Sequence, residues 1–200
     1  MQSRRVAFLS AVILLSCAPL ESRTGGESPA GRIVAALELD SSAVVAEIGA
    51  GNGELTGDLA RTLGPEATVY TTELGGELDA LRSSVRRLTN VTVIEALPDD
   101  ANLQDSCCDA LVLKRVYHHF QKPQRNNASM FRVLKSGGRL AVIDFPPRAG
   151  WEQPHGTPDR GGHGVSIDQL TRELESAGFE RIVLDRQWDE GMFLAIFRKP

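Results

Sequence analysis

The sequence is poor in cysteine, in aromatic residues and in net charge. It has three cysteines in 200 residues, 6% aromatic residues and a formal net charge of -4, with a pI near 5.6. Without a basic excess it lacks the electrostatic footprint of a nucleic-acid-binding face, so we predict no nucleic-acid partner. Past residue 20, no apolar run is long enough to span a bilayer. The length and the 42% hydrophobic content suit one globular domain.

Two of the three cysteines, Cys107 and Cys108, are neighbours. A bridge between them would be strained against normal disulfide geometry. We therefore predict two unbridged residues that enter a buried strand. A thiol site that captures a soft metalloid is the alternative.

The first 17 residues have the pattern of an export signal. Arg4 and Arg5 precede a short apolar run that ends in Leu14-Leu15-Ser16-Cys17. A basic start and a short apolar run are typical of a secretory signal peptide. The ending resembles a bacterial lipoprotein box, which implies that Cys17 is lipidated and tethers an exported, periplasmic or membrane-anchored protein. An ordinary signal peptide, an uncleaved anchor and a cytoplasmic protein remain alternatives.

Residues 18–31 are polar and rich in glycine, serine and proline, which is typical of a flexible tether. A folded domain is predicted over residues 32–200, opening with a short helix, RIVAALEL. These boundaries give three parts: the signal peptide at 1–17, the tether at 18–31 and the domain.

One stretch, VVAEIGAGNGEL at residues 44–55, organises the domain. An apolar strand pattern ends in a turn at Gly49, Gly51 and Gly53, and a helical pattern follows from Glu54. Strand, glycine turn and helix form the opening unit of a nucleotide-binding α/β sheet. Glycine is needed because the backbone turns sharply and a ligand approaches it closely.

The spacing of the glycines separates two classes of ligand. A dinucleotide site requires G-x-G-x-x-G, but Glu54 stands where its third glycine would be. With Glu47 the turn reads E-x-G-x-G-x-G, and Glu73 ends the next strand pattern, TVYTTE. This combination resembles motif I and the following acid of the class I S-adenosylmethionine (SAM)-dependent methyltransferases, with a type 11-like domain.

The resemblance implies SAM as the cofactor and assigns several side chains to it. The glycine turn would hold the methionine moiety, Glu73 would accept the ribose hydroxyls, and an acid in the loop after the third strand would bind the adenine amino group. Asp99 and Asp100 are both candidates for that last role. The cofactor-binding residues predicted in this way are Glu47, Gly49, Ala50, Gly51, Gly53, Glu73, Asp99 and Asp100.

Strand and helix patterns alternate along the rest of the chain. They predict a doubly wound, Rossmann-like sheet of seven strands, mostly parallel, with an antiparallel last strand and helices on both faces. The Asp189-Glu190-Gly191 turn between the last two strands is a hairpin signal. Ser166, before the final helix, is a good N-cap and forms a capping box with Gln169.

Two histidines follow the fourth strand, which we predict over residues 108–116. If the chain stays extended, His118 and His119 point to opposite sides, and one of them faces the ligand crevice. A neutral histidine there can remove a proton from the methyl acceptor, or both can simply shape the wall. The spacing of the four histidines matches no zinc pattern, so we predict no metal site.

The longest irregular segment, residues 146–164, is dense in proline and glycine. Loops of this length are usually functional or disordered, and we predict a lid over the substrate end of the site. No large insertion provides an acceptor pocket, so the expected reaction is methyl transfer to an unidentified small molecule. The alternatives are an inactive, surface-tethered binding protein that retains the fold and, more weakly, a nicotinamide-dependent oxidoreductase.

Overall fold

Strands and helices alternate in the computed structural model, which describes residues 28–200. The predictions for the signal peptide, for Cys17 and for most of the tether lie outside this range. The strands are β1 (Val44–Ile48), β2 (Thr68–Glu73), β3 (Val91–Glu95), β4 (Cys108–Lys114), β5 (Leu134–Asp144), β6 (Glu180–Asp189) and β7 (Met192–Arg198). The helices are α1 (Pro29–Ala36), α2 (Glu54–Leu63), α3 (Leu78–Val85), α4 (Pro123–Val133) and α5 (Ile167–Glu175), with a 3-10 turn at Tyr117–His119. Every helix in the described range is too short or too polar to cross a membrane.

The seven strands form one sheet in the order β3-β2-β1-β4-β5-β7-β6. All neighbours are parallel except β7, which runs antiparallel to both β5 and β6. The predicted fold class is therefore confirmed, including the antiparallel last strand. The strand order reverses between β1 and β4, and ligands of open α/β sheets bind at the carboxyl ends of the strands at such a point.

The central strands are apolar on both faces because helices cover both. One face carries a core in which Met130 of α4 and Leu174 of α5 pack on Leu111 of β4. On the other face, Ile33 of α1 and Leu59 of α2 pack in a second core. The sheet is thus a rigid support for the loops at its carboxyl edge.

Helix α1 begins three residues before the predicted Arg32. Ser28 caps it, since its hydroxyl oxygen accepts a hydrogen bond from the N–H of Gly31 at 3.0 Å. Residues 29–31, which we assigned to the tether, are helical. The cap of α5 is as predicted at Ser166, where the hydroxyl oxygen accepts the N–H of Gln169 at 3.2 Å.

Strand β4 ends at Lys114 rather than at residue 116. Arg115 adopts φ +61°, which turns the chain out of the sheet while its N–H donates to the carbonyl of Ile143 at 2.8 Å. The Gly137-Gly138 pair lies within β5, because α4 has already ended at Val133. It pairs with Lys199 through two backbone hydrogen bonds of 2.8 and 2.9 Å.

Cys107, just before β4, and Cys108, its first residue, are both free thiols. Their sulfur atoms lie 3.0 Å apart, and Cys108 is fully buried. Burial raises the pKa of the Cys108 thiol well above its ordinary value, so Cys108 behaves as a small core residue, as predicted.

Candidate active site

The glycine turn after β1 is fastened to the end of β2. The N–H groups of Gly49 and Ala50 both donate to the carbonyl of Thr72, at 2.9 and 3.0 Å. The N–H of Gly51 donates to a carboxylate oxygen of Glu73 at 2.6 Å. Glu73 therefore holds the glycine turn in shape and lies next to the turn.

Two of the glycines are required by neighbouring protein atoms. A Cβ on Gly49, which has φ +71°, would lie 2.8 Å from both methyl groups of Val116. A Cβ on Gly53, at φ +77°, would lie 2.6 Å from the Ser84 hydroxyl oxygen and 2.7 Å from Leu81. The sequence pattern pointed to ligand approach as the reason for these glycines, but close packing against α3 and against the end of β4 also requires them.

A cavity of about 560 Å³ lies at the carboxyl ends of β1 and β2 and below the loops after β3 and β4. Its walls are mostly apolar, with polar side chains placed among them. The apolar lining includes Ile48, Leu97, Val116 and Phe120, and the polar side chains are Thr72, Glu73, Asp100, His119, Gln121 and Asn126. Sequence reasoning missed Thr72, Gln121 and Asn126, because no motif marks a polar side chain that only the folded chain brings to a wall.

Glu73 lies on the wall of this cavity, as the ribose assignment requires. One carboxylate oxygen accepts the N–H of Gly51 and the other accepts the N–H of Leu74 at 2.8 Å. A carboxylate has about four lone-pair sites, so both oxygens retain capacity to accept hydroxyl groups.

Glu47 lies beneath the turn and is buried. It accepts a hydrogen bond from the Thr56 hydroxyl, which in turn lies 2.8 Å from the Thr71 hydroxyl. Burial raises the pKa of Glu47 to about 7, against the opposing effect of Thr56. It borders a separate cavity of about 340 Å³ between the turn and the end of β4, beside Lys114. Its role in binding the cofactor remains a prediction.

The Glu47→Gln variant is expected to remove a pH dependence of stability. The folded pKa of Glu47 is about 7 and the ordinary value is 4.5. Between these pH values Glu47 is ionised in the unfolded chain but still protonated in the folded chain. Ionisation therefore lowers the free energy of unfolding as the pH rises from 4.5 to 7, by a total of about 3 kcal/mol. Glutamine keeps an acceptor for Thr56 and carries no charge.

Urea unfolding at pH 5 and at pH 8 measures this difference. The gain in stability from Glu47→Gln should be larger at pH 8, and the exposed control Glu66→Gln should show no such change. An equal effect of Glu47→Gln at both pH values would show that the carboxyl does not titrate in this window.

Neither candidate for the adenine contact is a free carboxylate. Asp99 pairs with Lys122 at 2.9 Å and with Arg125 at 3.5 Å. Asp100 pairs with Arg132 at 2.9 Å. Only Asp100 lines the cavity, so it is the better placed of the two, and the adenine assignment remains a prediction.

The two histidines after β4 do not point to opposite sides. The chain has left the extended conformation at Arg115, and the following 3-10 turn places the rings of His118 and His119 with centroids 4.2 Å apart. His118 is buried, and its Nδ1 lies 2.8 Å from Asp144 at the end of β5. Because a carboxylate only accepts, Nδ1 of His118 carries the proton and donates it.

His119 stands between two cavities. It is exposed on one side and packed on the other, and this partial desolvation, reinforced by His118 and His163, lowers the pKa of His119 to about 4. Its ring lines the 560 Å³ cavity and also a second one of about 410 Å³.

The loop at residues 146–164 borders this second cavity. Arg148 pairs with His163 through a backbone hydrogen bond of 2.9 Å, which folds the loop back on itself. The buried Arg160 lies 3.3 Å from Glu173 of α5 and anchors the loop to the domain. The loop thus borders this cavity, and its position at the substrate end and its action as a lid remain predictions.

Comparison with known proteins shows similarity to methyltransferases. Residues 46–142, from β1 into β5, match the model of a family described as a methyltransferase domain. The solved structure of a SAM-dependent methyltransferase from Aquifex aeolicus aligns with a TM-score of 0.72 at 19% identity, covering 86% of this chain and 90% of that one. The [4+2]-cyclase SpnF aligns with a TM-score of 0.70 at 18% identity, covering 86% and 80%.

A similar enzyme in sequence is the ubiquinone/menaquinone biosynthesis C-methyltransferase UbiE of Vibrio cholerae. It is 28% identical over 106 residues, which make up 50% of this chain and 40% of the relative. The chain thus spans about two fifths of the length of the curated relative it matches. These comparisons show similarity to methyltransferases over about half of the chain in sequence and over most of the chain in fold.

The residues present fit the cofactor of this class. The glycine turn and Glu73 lie at one side of a cavity with apolar walls, where a planar base can be buried. The buried hydroxyl oxygen of Thr72, on the same wall, has no hydrogen-bond partner within residues 28–200. Buried polar groups normally have partners, which makes this hydroxyl an exception beside the cavity.

Proposed function

We propose that the protein transfers a methyl group from SAM to a small-molecule acceptor. The observation that carries this proposal is the pair of adjoining cavities that share His119. One has the glycine turn and Glu73, and the other is lined by the loop at residues 146–164. When bound, the sulfonium of SAM supplies an electrophilic methyl group.

The chain's contribution is positional. Glu73 holds the ribose of the cofactor, the glycine turn holds its methionine moiety, and the shared wall at His119 brings the acceptor next to it. Holding two reactants in line accounts for a large part of the barrier reduction in such transfers. His119 is a poor general base near neutral pH because its pKa is about 4. His118 is better placed, since Asp144 fixes its tautomer.

Isothermal titration of the full-length chain with SAM and with S-adenosylhomocysteine tests the proposal. Micromolar binding of both is the expected result, followed by release of S-adenosylhomocysteine when the correct acceptor is added. A folded protein that binds neither compound would contradict the enzyme and leave a binding protein with this fold. Binding without turnover on any acceptor would favour the inactive alternative. The cyclase SpnF shows only that proteins with this fold can have another activity.

We also propose that residues 1–17 direct export and that Cys17 is lipidated. The support is the sequence pattern alone, and an exported enzyme would need a supply of SAM outside the cytoplasm. Labelling with a radioactive fatty acid tests it, and equal labelling of the Cys17→Ala variant would contradict it.

A further inference from the structure

Three of the four histidines of the chain gather at one point. His118 and His119 come from the 3-10 turn after β4, and His163 comes from the loop after β5. One ring nitrogen of each lies within 4.8 Å of those of the other two. The ring of His118 is tilted against both of the others, with centroids 4.2 Å from His119 and 4.8 Å from His163.

Hydrogen bonds leave one particular nitrogen of two rings available. Nδ1 of His118 donates to Asp144, and Nδ1 of His163 lies 3.0 Å from the carbonyl of Glu152, which can only accept. The Nε2 atom of each ring therefore carries the free lone pair. A carboxylate or carbonyl that orients a histidine in this way is the usual partner of metal-binding histidines.

No described residue donates a hydrogen bond to the ring of His119 in this structure. Arg115 and Arg148 border the same cavity as the three histidines.

The distances between the ring nitrogens would suit a metal ion if the rings moved slightly closer together. A zinc–nitrogen bond of about 2.1 Å requires tetrahedral nitrogens about 3.4 Å apart. The widest pair must then shorten by about 1.4 Å, which rotation of the partly exposed His119 and His163 rings can supply. His118 is buried and stays fixed by Asp144.

We propose that His118, His119 and His163 bind a divalent transition-metal ion, with Zn²⁺ the ion that three imidazoles and an open fourth position suit best. The fourth position faces the cavity of about 410 Å³. The guanidinium groups of Arg115 and Arg148 there favour an anionic fourth ligand. This departs from the absence of a metal predicted from the sequence, where the histidine spacing matched no zinc pattern.

The role of the ion rests on the function proposed above. The acceptor's oxygen, nitrogen or sulfur atom would be the fourth ligand, held beside the cofactor cavity. If the three histidines bind a metal ion, neither His118 nor His119 can act as the general base. The metal-ligand and general-base assignments can therefore be distinguished by experiment.

The test measures Zn²⁺ binding to tag-free, full-length protein by equilibrium dialysis and elemental analysis, without SAM. One zinc per chain is expected, and Co²⁺ in its place should give the visible absorption of a tetrahedral site. His163→Ala and His119→Ala should each weaken binding at least tenfold. His155→Ala is the matched control, because His155 is the one histidine outside the cluster, and it should bind as the unchanged protein does.

His118→Ala is avoided because that ring is buried and the variant could fail to fold; circular dichroism verifies the fold of the others. No zinc bound, or equal binding by all three variants, would overturn the proposal. Loss of binding in Cys107→Ser/Cys108→Ser with none in His163→Ala would also overturn it, by assigning the ion to the thiols. Because SAM titration is separate, a failed zinc site leaves the methyltransferase proposal standing, and the reverse also holds.

Discussion

Replacement of Glu73 by alanine is expected to weaken SAM binding roughly 10- to 100-fold. The carboxylate lies on the cavity wall with unused lone pairs. A hydrogen bond to a charged group contributes about 1.5–3 kcal/mol, so the net loss of one such bond to a ribose hydroxyl corresponds to this change. Isothermal titration of the variant gives the change directly. S-adenosylhomocysteine should lose as much affinity as SAM, because the two share the ribose.

Two variants make this result specific. Glu73→Gln keeps one acceptor oxygen and loses the charge, so it should fall between the natural protein and Glu73→Ala. Glu66→Ala removes an exposed acid two residues before the opposite end of β2, and its affinity should not change. Unchanged affinity in a folded Glu73→Ala protein would remove the ribose assignment.

Gly49→Ala is expected to lower the free energy of unfolding by about 2–5 kcal/mol. A left-handed conformation costs a non-glycine residue about 1–2 kcal/mol, and the new Cβ would lie 2.8 Å from both methyl groups of Val116, adding about 1–3 kcal/mol of overpacking. Urea unfolding measures the sum, and SAM affinity should fall with it, since the turn borders the cofactor cavity.

Gly51→Ala is the matched control, because Gly51 also has positive φ, +53°, but a Cβ at this position would meet no atom within 4 Å. It should carry the conformational cost alone. In a Val116→Ala background the steric part of the Gly49→Ala effect should disappear, so the two changes should not be additive. If Gly49→Ala lowers the free energy of unfolding no more than Gly51→Ala does, contact with Val116 is not the reason that position 49 requires glycine.

Local patterns predicted most of the fold. The strand, turn and helix around Gly49, the acid at the end of β2 and the Glu190-Gly191 hairpin all depend on neighbours in sequence. That hairpin has φ +36° and +79° at its two central residues, which a two-residue turn of this hand requires. Such features are readable because the interactions that make them are short-range.

The site was less predictable because its parts meet through the tertiary structure. His163 reaches His118 only after the loop has folded back through Arg148 and has been anchored by Arg160. The partners of Asp99 and Asp100 lie on α4 and just before it, and no motif gives the pairing. The orientation of His119 depended on a single turn at Arg115, which an extended-strand pattern does not reveal.

The position of β7 has a consequence for the order in which the sheet can be assembled during synthesis. β7 follows β6 along the chain but lies between β5 and β6 in the sheet, and β6 pairs with β7 alone. β6 therefore emerges from the ribosome before the strand that attaches it. Until β7 arrives, the apolar edge of β5 is open to any other strand, and exposed edges of this kind invite aggregation. Chaperone protection at this stage would thus matter more to the yield of the protein than the stability of the finished sheet.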